Sequence, residues 1–163
     1  MLKFMRPLLF ALLLLASPAH AGNVILDGMI TQADADLVIS ELSNGDNLLI
    51  NSTGGDLLAA FRIARTVRER GVTTRVNSTG WCQSACVLVF SAGVKREAGE
   101  HLLFMLHPAT RNGKYDYEYT ALLLNALIMY GVKGTPLLSK AAREQVVFGW
   151  QVAKDMNLVT SQP

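Results

Sequence analysis

Residues 48–67, LLINSTGGDLLAAFRIARTV, change periodicity partway along. Leu48, Leu49 and Ile50 form a continuous apolar run of strand length. Leu57, Ala60, Phe61, Ala64 and Val67 instead recur at helical spacing, with Arg62, Arg65 and Arg68 mostly on the other face. Gly54-Gly55 mark a tight turn between the two, and Gly71 ends the helix. This strand–turn–helix reading extends in both directions. Upstream, Val24-Ile25-Leu26 reads as a short buried strand. Thr31 with Asp34 then opens a helix whose Ala35, Val38, Ile39 and Leu42 share a face before Asn44-Gly45 stops it. Downstream, residues 72–76 read as a third strand and residues 102–106 as a fourth. Between them Ser84 opens a helix that is apolar on nearly all sides through Cys86, Val87, Leu88, Val89, Phe90 and Ala92. Alternation at this spacing predicts an α/β fold of βαβ units with right-handed crossovers and a mostly parallel sheet flanked by helices. From Tyr115 onward the chain reads as mostly helical. Residues 121–130 carry only Asn125 as a polar residue, which implies burial either in the core or in a subunit interface.

The first residues belong to a different class of signal. Lys3 and Arg6, the apolar run at 8–15 and Ala19-His20-Ala21 before Gly22 have the pattern of a cleaved secretory leader, with an apolar stretch too short to span a bilayer. The expectation is a signal peptide over 1–21, a single domain over 22–163, and an exported protein, periplasmic or secreted. Lys3 and Arg6 are two of the 15 basic residues, and all 13 acidic residues lie beyond residue 21. Residues 22–163 therefore hold 13 of each and no net charge. That excludes the basic field a nucleic-acid partner needs. One domain of this length buries an adequate core without metals or many disulfides. Cys82 and Cys86, read at helical spacing, would have Cα atoms about 6 Å apart, inside the disulfide range. A bond between them and a pair of small packed hydrophobes both fit. There is no CxxC spacing and no metal site. Asn51 and Asn77 begin N-x-[ST] triplets, but both fall at predicted strand ends and read as incidental.

Three short pieces carry chemistry. Gly54-Gly55 allow backbone N–H groups to approach a developing oxyanion, although a ligand-free glycine turn fits the same residues. Neither GxGxxG nor GxxxxGK[ST] is present, so a phosphate loop does not fit. Ser84 reads as a nucleophile with the Ala85 N–H as a second oxyanion donor, or equally as a plain helix N-cap; a GxSxG elbow is missing. Beyond the leader, His101 and His107 are the histidines that remain. His107, just past a strand end and followed by Pro108, suits a general base, against the alternative of a histidine satisfied in the core. In an open parallel sheet, loops at the carboxyl ends of strands converge, so these pieces can meet.

INSTGGDLLAAFRIARTV (50–67), CQSACVLVFSAGVKRE (82–97) and LLFMLHPA (102–109), with VILDGMITQADADLVISEL (24–42) before them, resemble the Clp-type serine peptidases of the ClpP/crotonase superfamily over nearly all of residues 22–163. The resemblance implies a ClpP/crotonase-like fold of repeated β-β-α and βαβ units, no cofactor, a peptide or unfolded-protein substrate and a homo-oligomer. By motif it implies Ser84 as nucleophile, His107 as base, and an oxyanion hole from the Gly55 and Ala85 N–H groups. Two departures stand out. Cys82 and Cys86 bracket Ser84 where the family has small residues, so a disulfide that rigidifies the turn and a thiol nucleophile both arise. The family's third catalytic member is an acid preceding a Gly-Leu-Val segment. Here Asn157-Leu158-Val159 takes that place, and the third member is open among Glu144, Gln145 and Asp155. A serine–lysine dyad with Lys114 or Lys133 is a further option. The leading expectation is an exported Clp-like serine peptidase acting through an acyl-enzyme, with no ATPase partner. The alternative is a catalytically inactive module of the same fold that binds peptides or acts as a scaffold. A crotonase-type acyl-CoA hydratase or isomerase explains the glycine pair but not Ser84 with His107.

Overall fold

The computed structural model describes residues 21–162, and the expected leader, apart from Ala21, lies outside the described residues. β1 (Asn23–Ile30) and β2 (Asn47–Gly55) run parallel, Asn23 beside Asn47 and Ile30 beside Gly55. β1 is longer than the apolar triplet suggests, because its residues alternate: Val24, Leu26 and Ile30 are buried while Ile25 and Met29 face outward. Between these strands α1 (Gln32–Glu41) starts with a reciprocal capping box. The Asp34 N–H donates to the Thr31 hydroxyl at 3.3 Å, and the Thr31 N–H donates to the Asp34 carboxylate at 2.8 Å. α2 (Leu57–Glu69) then packs Ala59, Ala60, Ile63, Ala64 and Val67 into the core.

β3 (Thr73–Val76), β4 (Cys82–Gln83), β5 (Lys95–Ala98), β6 (Leu103–Leu106) and β9 (Val146–Gly149) complete a seven-stranded sheet in the order β5-β3-β2-β4-β6-β9, with β1 also paired to β2. All pairs are parallel except β6 with β9. The α/β class with a mostly parallel, helix-flanked sheet is therefore as expected. β2 divides the sheet, pairing residues 47–49 with β3 and then Ser52 with Cys82 of β4. α3 (Ala85–Ser91) lies at the centre, and all seven of its residues are buried. Phe90 contacts Phe104 of β6, which stacks on Phe148 of β9 with ring centroids 5.7 Å apart.

Three strands of this sheet escape an apolar-run reading, each for a physical reason. β4 is two residues long and exists through its pairing with β2 and β6, so Ser84 follows β4 and not the strand at 72–76. β5 reads Lys-Arg-Glu-Ala, yet Arg96 and Glu97 are buried. Arg96 donates to the carbonyls of Gly93, Asn157 and Leu158, and burial, followed by the Arg68 charge, lowers its pKa. Glu97 is held in ion pairs by Arg75 and Lys95. β9 sits in a region expected to be helical and joins the sheet antiparallel. That region otherwise contains α4 (Tyr117–Met129), α5 (Pro136–Ala141) and α6 (Trp150–Asp155). Before α4 a hairpin forms from β7 (Thr110–Arg111) and β8 (Lys114–Tyr115), with Asn112 and Gly113 both at positive φ as a tight hairpin turn requires. α4 buries Thr120, Leu123, Ala126 and Leu127 and exposes Leu122, Ile128 and Met129. No helix among the described residues is long and apolar enough to cross a membrane.

Asp56 ties this frame to its central turn. Its carboxylate caps α2 by accepting the Ala59 N–H at 2.9 Å, and that bond, ahead of smaller contributions, lowers its pKa. A depressed folded-state pKa contributes stability that is present above the ordinary aspartate range and is lost as pH falls through the folded value. Asp56→Ala is expected to cost about 1 kcal/mol at pH 7 in urea unfolding. The difference from the parent should shrink as the pH is lowered through the acid range.

Candidate active site

Register brings the three chemical pieces together. Ser52, Cys82 and Phe104 are neighbours on β2, β4 and β6. Two residues further along each parallel strand stand Gly54, Ser84 and Leu106, with His107 next. The pieces thus sit at the carboxyl ends of three adjacent strands, as ligand sites do in such sheets. A cavity of about 250 Å³ opens there, and Gly55, Ser84, Ala85 and His107 all line it. Asp56, Leu57, Tyr119 and Leu123 supply further wall, from α2 and α4.

Ser84 is the strained point. It makes the turn from β4 into α3 at φ 54° and ψ −125°, on the side of backbone space that favours glycine. Holding a non-glycine residue there costs about 1–3 kcal/mol. The Ser84 N–H donates to the Met105 carbonyl at 2.7 Å, which fastens the turn to β6. Ser84 occupies the N-cap position of α3, but its side chain makes no capping hydrogen bond. Of the two roles the sequence leaves open, capping therefore has no bond behind it. The Ala85 N–H is the first of α3, and first-turn N–H groups have no acceptor within their own helix.

The two glycines are required for different reasons. A Cβ on Gly54 (φ 87°) would stand 2.6 Å from the Gln83 carbonyl oxygen, 2.8 Å from Ser84 Cβ and 2.9 Å from the Ala85 nitrogen. A Cβ on Gly55 (φ 146°) would stand 2.3 Å from the Ile30 carbonyl oxygen. Gly54 thus lets β2 press against the serine turn, and Gly55 lets β2 pass the end of β1.

His107 Nδ1 lies 2.7 Å from the Pro108 carbonyl oxygen. A carbonyl only accepts, so this bond requires the proton on Nδ1 and leaves Nε2 as the basic nitrogen. Glu144, Gln145 and Asp155 do not line the cavity. Glu144 faces Lys140 at 3.9 Å, Asp155 accepts from Gln151, and Gln145 is exposed. Lys114, in β8, and Lys133 are exposed and also absent from the cavity wall, while His101 lines a separate groove with Trp81 and Met105.

Cys82 and Cys86 form a disulfide with Cα atoms 5.2 Å apart. The helical spacing assumed from sequence does not apply, since Cys82 is in β4 and Cys86 in α3 with Ser84 between them. No free cysteine remains among the described residues, so a thiol nucleophile has no residue to supply it.

Tyr119 and Thr110 line the cavity without having drawn notice in the sequence. Arg111 pairs with Asp116 at 3.0 Å and lies 4.1 Å over the Tyr119 ring, which pins the hairpin to the start of α4 beside the site. The Asn112-Gly113 dipeptide shortly after His107 was the available signal. Gly54→Ala is expected to destabilise the chain by about 2–5 kcal/mol in denaturant unfolding, because the new methyl meets main chain and adds a positive-φ cost.

A Clp protease family model matches residues 15–126. No curated protein matches the chain. The matched span contains Gly55, Ser84, Ala85 and His107 and ends before Glu144, Gln145 and Asp155. With most of its 163 residues inside that match and a mostly parallel α/β fold around the same strand ends, the chain belongs to the Clp protease family, a family of peptidases.

Proposed function

We propose that the protein is an exported serine peptidase that hydrolyses peptide bonds through an acyl-enzyme. One observation carries this reading: Ser84, free of any capping bond, lines the same cavity as His107, Gly55 and Ala85. His107 Nε2 takes the hydroxyl proton as Ser84 Oγ bonds to the peptide carbonyl carbon. The Gly55 and Ala85 N–H groups receive the negative charge on the carbonyl oxygen. The C–N bond then breaks, and His107 returns the proton to the departing amine. Water, deprotonated by the same histidine, attacks the ester and releases the acid and the free serine.

The Pro108 carbonyl takes the orienting part that an acid plays elsewhere. A neutral acceptor fixes the tautomer but stabilises the imidazolium less than a carboxylate does. Loss of the carboxylate costs a serine protease up to roughly 10,000-fold. Slow turnover of short or unfolded peptides follows. Export is supported by the leader pattern over residues 1–21, and self-assembly by the apolar residues Leu122, Ile128 and Met129 that α4 leaves exposed. The same missing carboxylate favours a second reading, a non-catalytic module that holds peptides in this cavity.

Fluorophosphonate labelling of residues 22–163, located by intact mass and peptide mapping, separates the two. One adduct on Ser84, abolished by Ser84→Ala and slowed at least about 100-fold by His107→Ala, is the expected result. Absence of an adduct between pH 6 and 9 would transfer the assignment to the binding module.

A further inference from the structure

The five residues Cys82-Gln83-Ser84-Ala85-Cys86 turn the chain sharply from β4 into α3. In a nucleophile elbow the residues two before and two after the serine come close together, and glycines at those places relieve the crowding. Here both places hold cysteine, 5.2 Å apart at Cα and bonded to each other. We propose that the Cys82–Cys86 disulfide is a local clamp that holds Ser84 in its positive-φ conformation, making Cys82 and Cys86 positioning residues for the nucleophile. In its functional consequence the proposal rests on the serine-peptidase reading given above; in its conformational part it does not.

Three observations carry it. Ser84 keeps φ 54° without glycine at either flanking position and with no side-chain bond of its own to hold it. The bond closes a ring across a sequence separation of only four, and short loops gain least from restriction of the unfolded chain. Its effect is therefore concentrated on the residues inside the ring, and Ser84 is the middle one. Both cysteines are fully buried, Cys82 on a strand fixed by pairing to Ser52 and Phe104, and Cys86 on the central helix. The clamp thus joins two rigid elements and leaves the turn between them no slack. The hydrogen bond from Ser84 N–H to Met105 holds one side of the turn, and the disulfide holds the chord across it.

The test compares oxidised residues 22–163 with Cys82→Val/Cys86→Ala, which refills the space of the sulfurs, and with Cys82→Ser/Cys86→Ser. Backbone scalar couplings of Ser84 by NMR report the sign of φ, and fluorophosphonate labelling reports the readiness of the hydroxyl. In a variant with parental circular dichroism, Ser84 is expected to lose its positive φ, and labelling to slow about tenfold to hundredfold, as release of that strain implies. Retention of positive φ in a folded variant overturns the clamp. Failure of both variants to fold also overturns it, since the bond would then be a staple of the whole domain. If the parent never labels but the variants lose positive φ, the clamp stands and the serine-peptidase reading falls.

Discussion

At the junction of β4 and α3 the chain must reverse direction within one residue, and that residue is Ser84 at φ 54°. The reversal is imposed from both sides. β4 is pinned between β2 and β6, and α3 drops back onto the sheet to bury Val87, Leu88, Val89 and Phe90 completely. Burial of such side chains stabilises by about 1.5–3 kcal/mol each, and the four together exceed the roughly 1–3 kcal/mol of strain at one residue. Packing of the helix therefore outweighs the strain of the turn without by itself fixing φ at Ser84. Gly54 is a second consequence, because β2 approaches the turn so closely that no Cβ fits.

Charge is used sparingly around this core. Arg96 and Glu97 on β5 are buried, but each is surrounded by partners, three carbonyls for the arginine and two cations for the carboxylate. Arg96 fastens Asn157 and Leu158 to the sheet, so the C-terminal segment is held by hydrogen bonds to a buried cation. At the candidate site the pattern differs. His107 is oriented by a neutral main-chain oxygen, and Asp56, the carboxylate on the cavity wall, is engaged in capping α2. Among the described residues the imidazole is thus oriented by main chain, and no carboxylate is bonded to it.

The strand–turn–helix unit at 48–67, the capping box at Thr31 and Asp34, and the all-apolar helix after Ser84 were legible because each rests on local periodicity or a local cap. β4 was not, because two residues make a strand only when neighbours on both sides supply the ladder. β5 was hidden by Arg96 and Glu97, whose burial depends on partners distant in sequence. The placement of Gly55, Ser84, Ala85 and His107 around one cavity agrees with the motif order, although the strand leading into Ser84 is β4 and not the apolar run at 72–76. Tyr119 and the Pro108 carbonyl carry no distinctive motif, since one acts by position on a helix and the other through its main chain.

The orientation of His107 decides whether Ser84 has a base. Nitrogen-15 NMR of the imidazole in the oxidised chain reads it directly, with Ser84→Ala as the companion sample. A neutral ring with its proton on Nδ1, a bare Nε2, and an Nε2 resonance that moves in Ser84→Ala is the result this arrangement predicts. A neutral ring protonated on Nε2, or one indifferent to the loss of the serine hydroxyl, would contradict it.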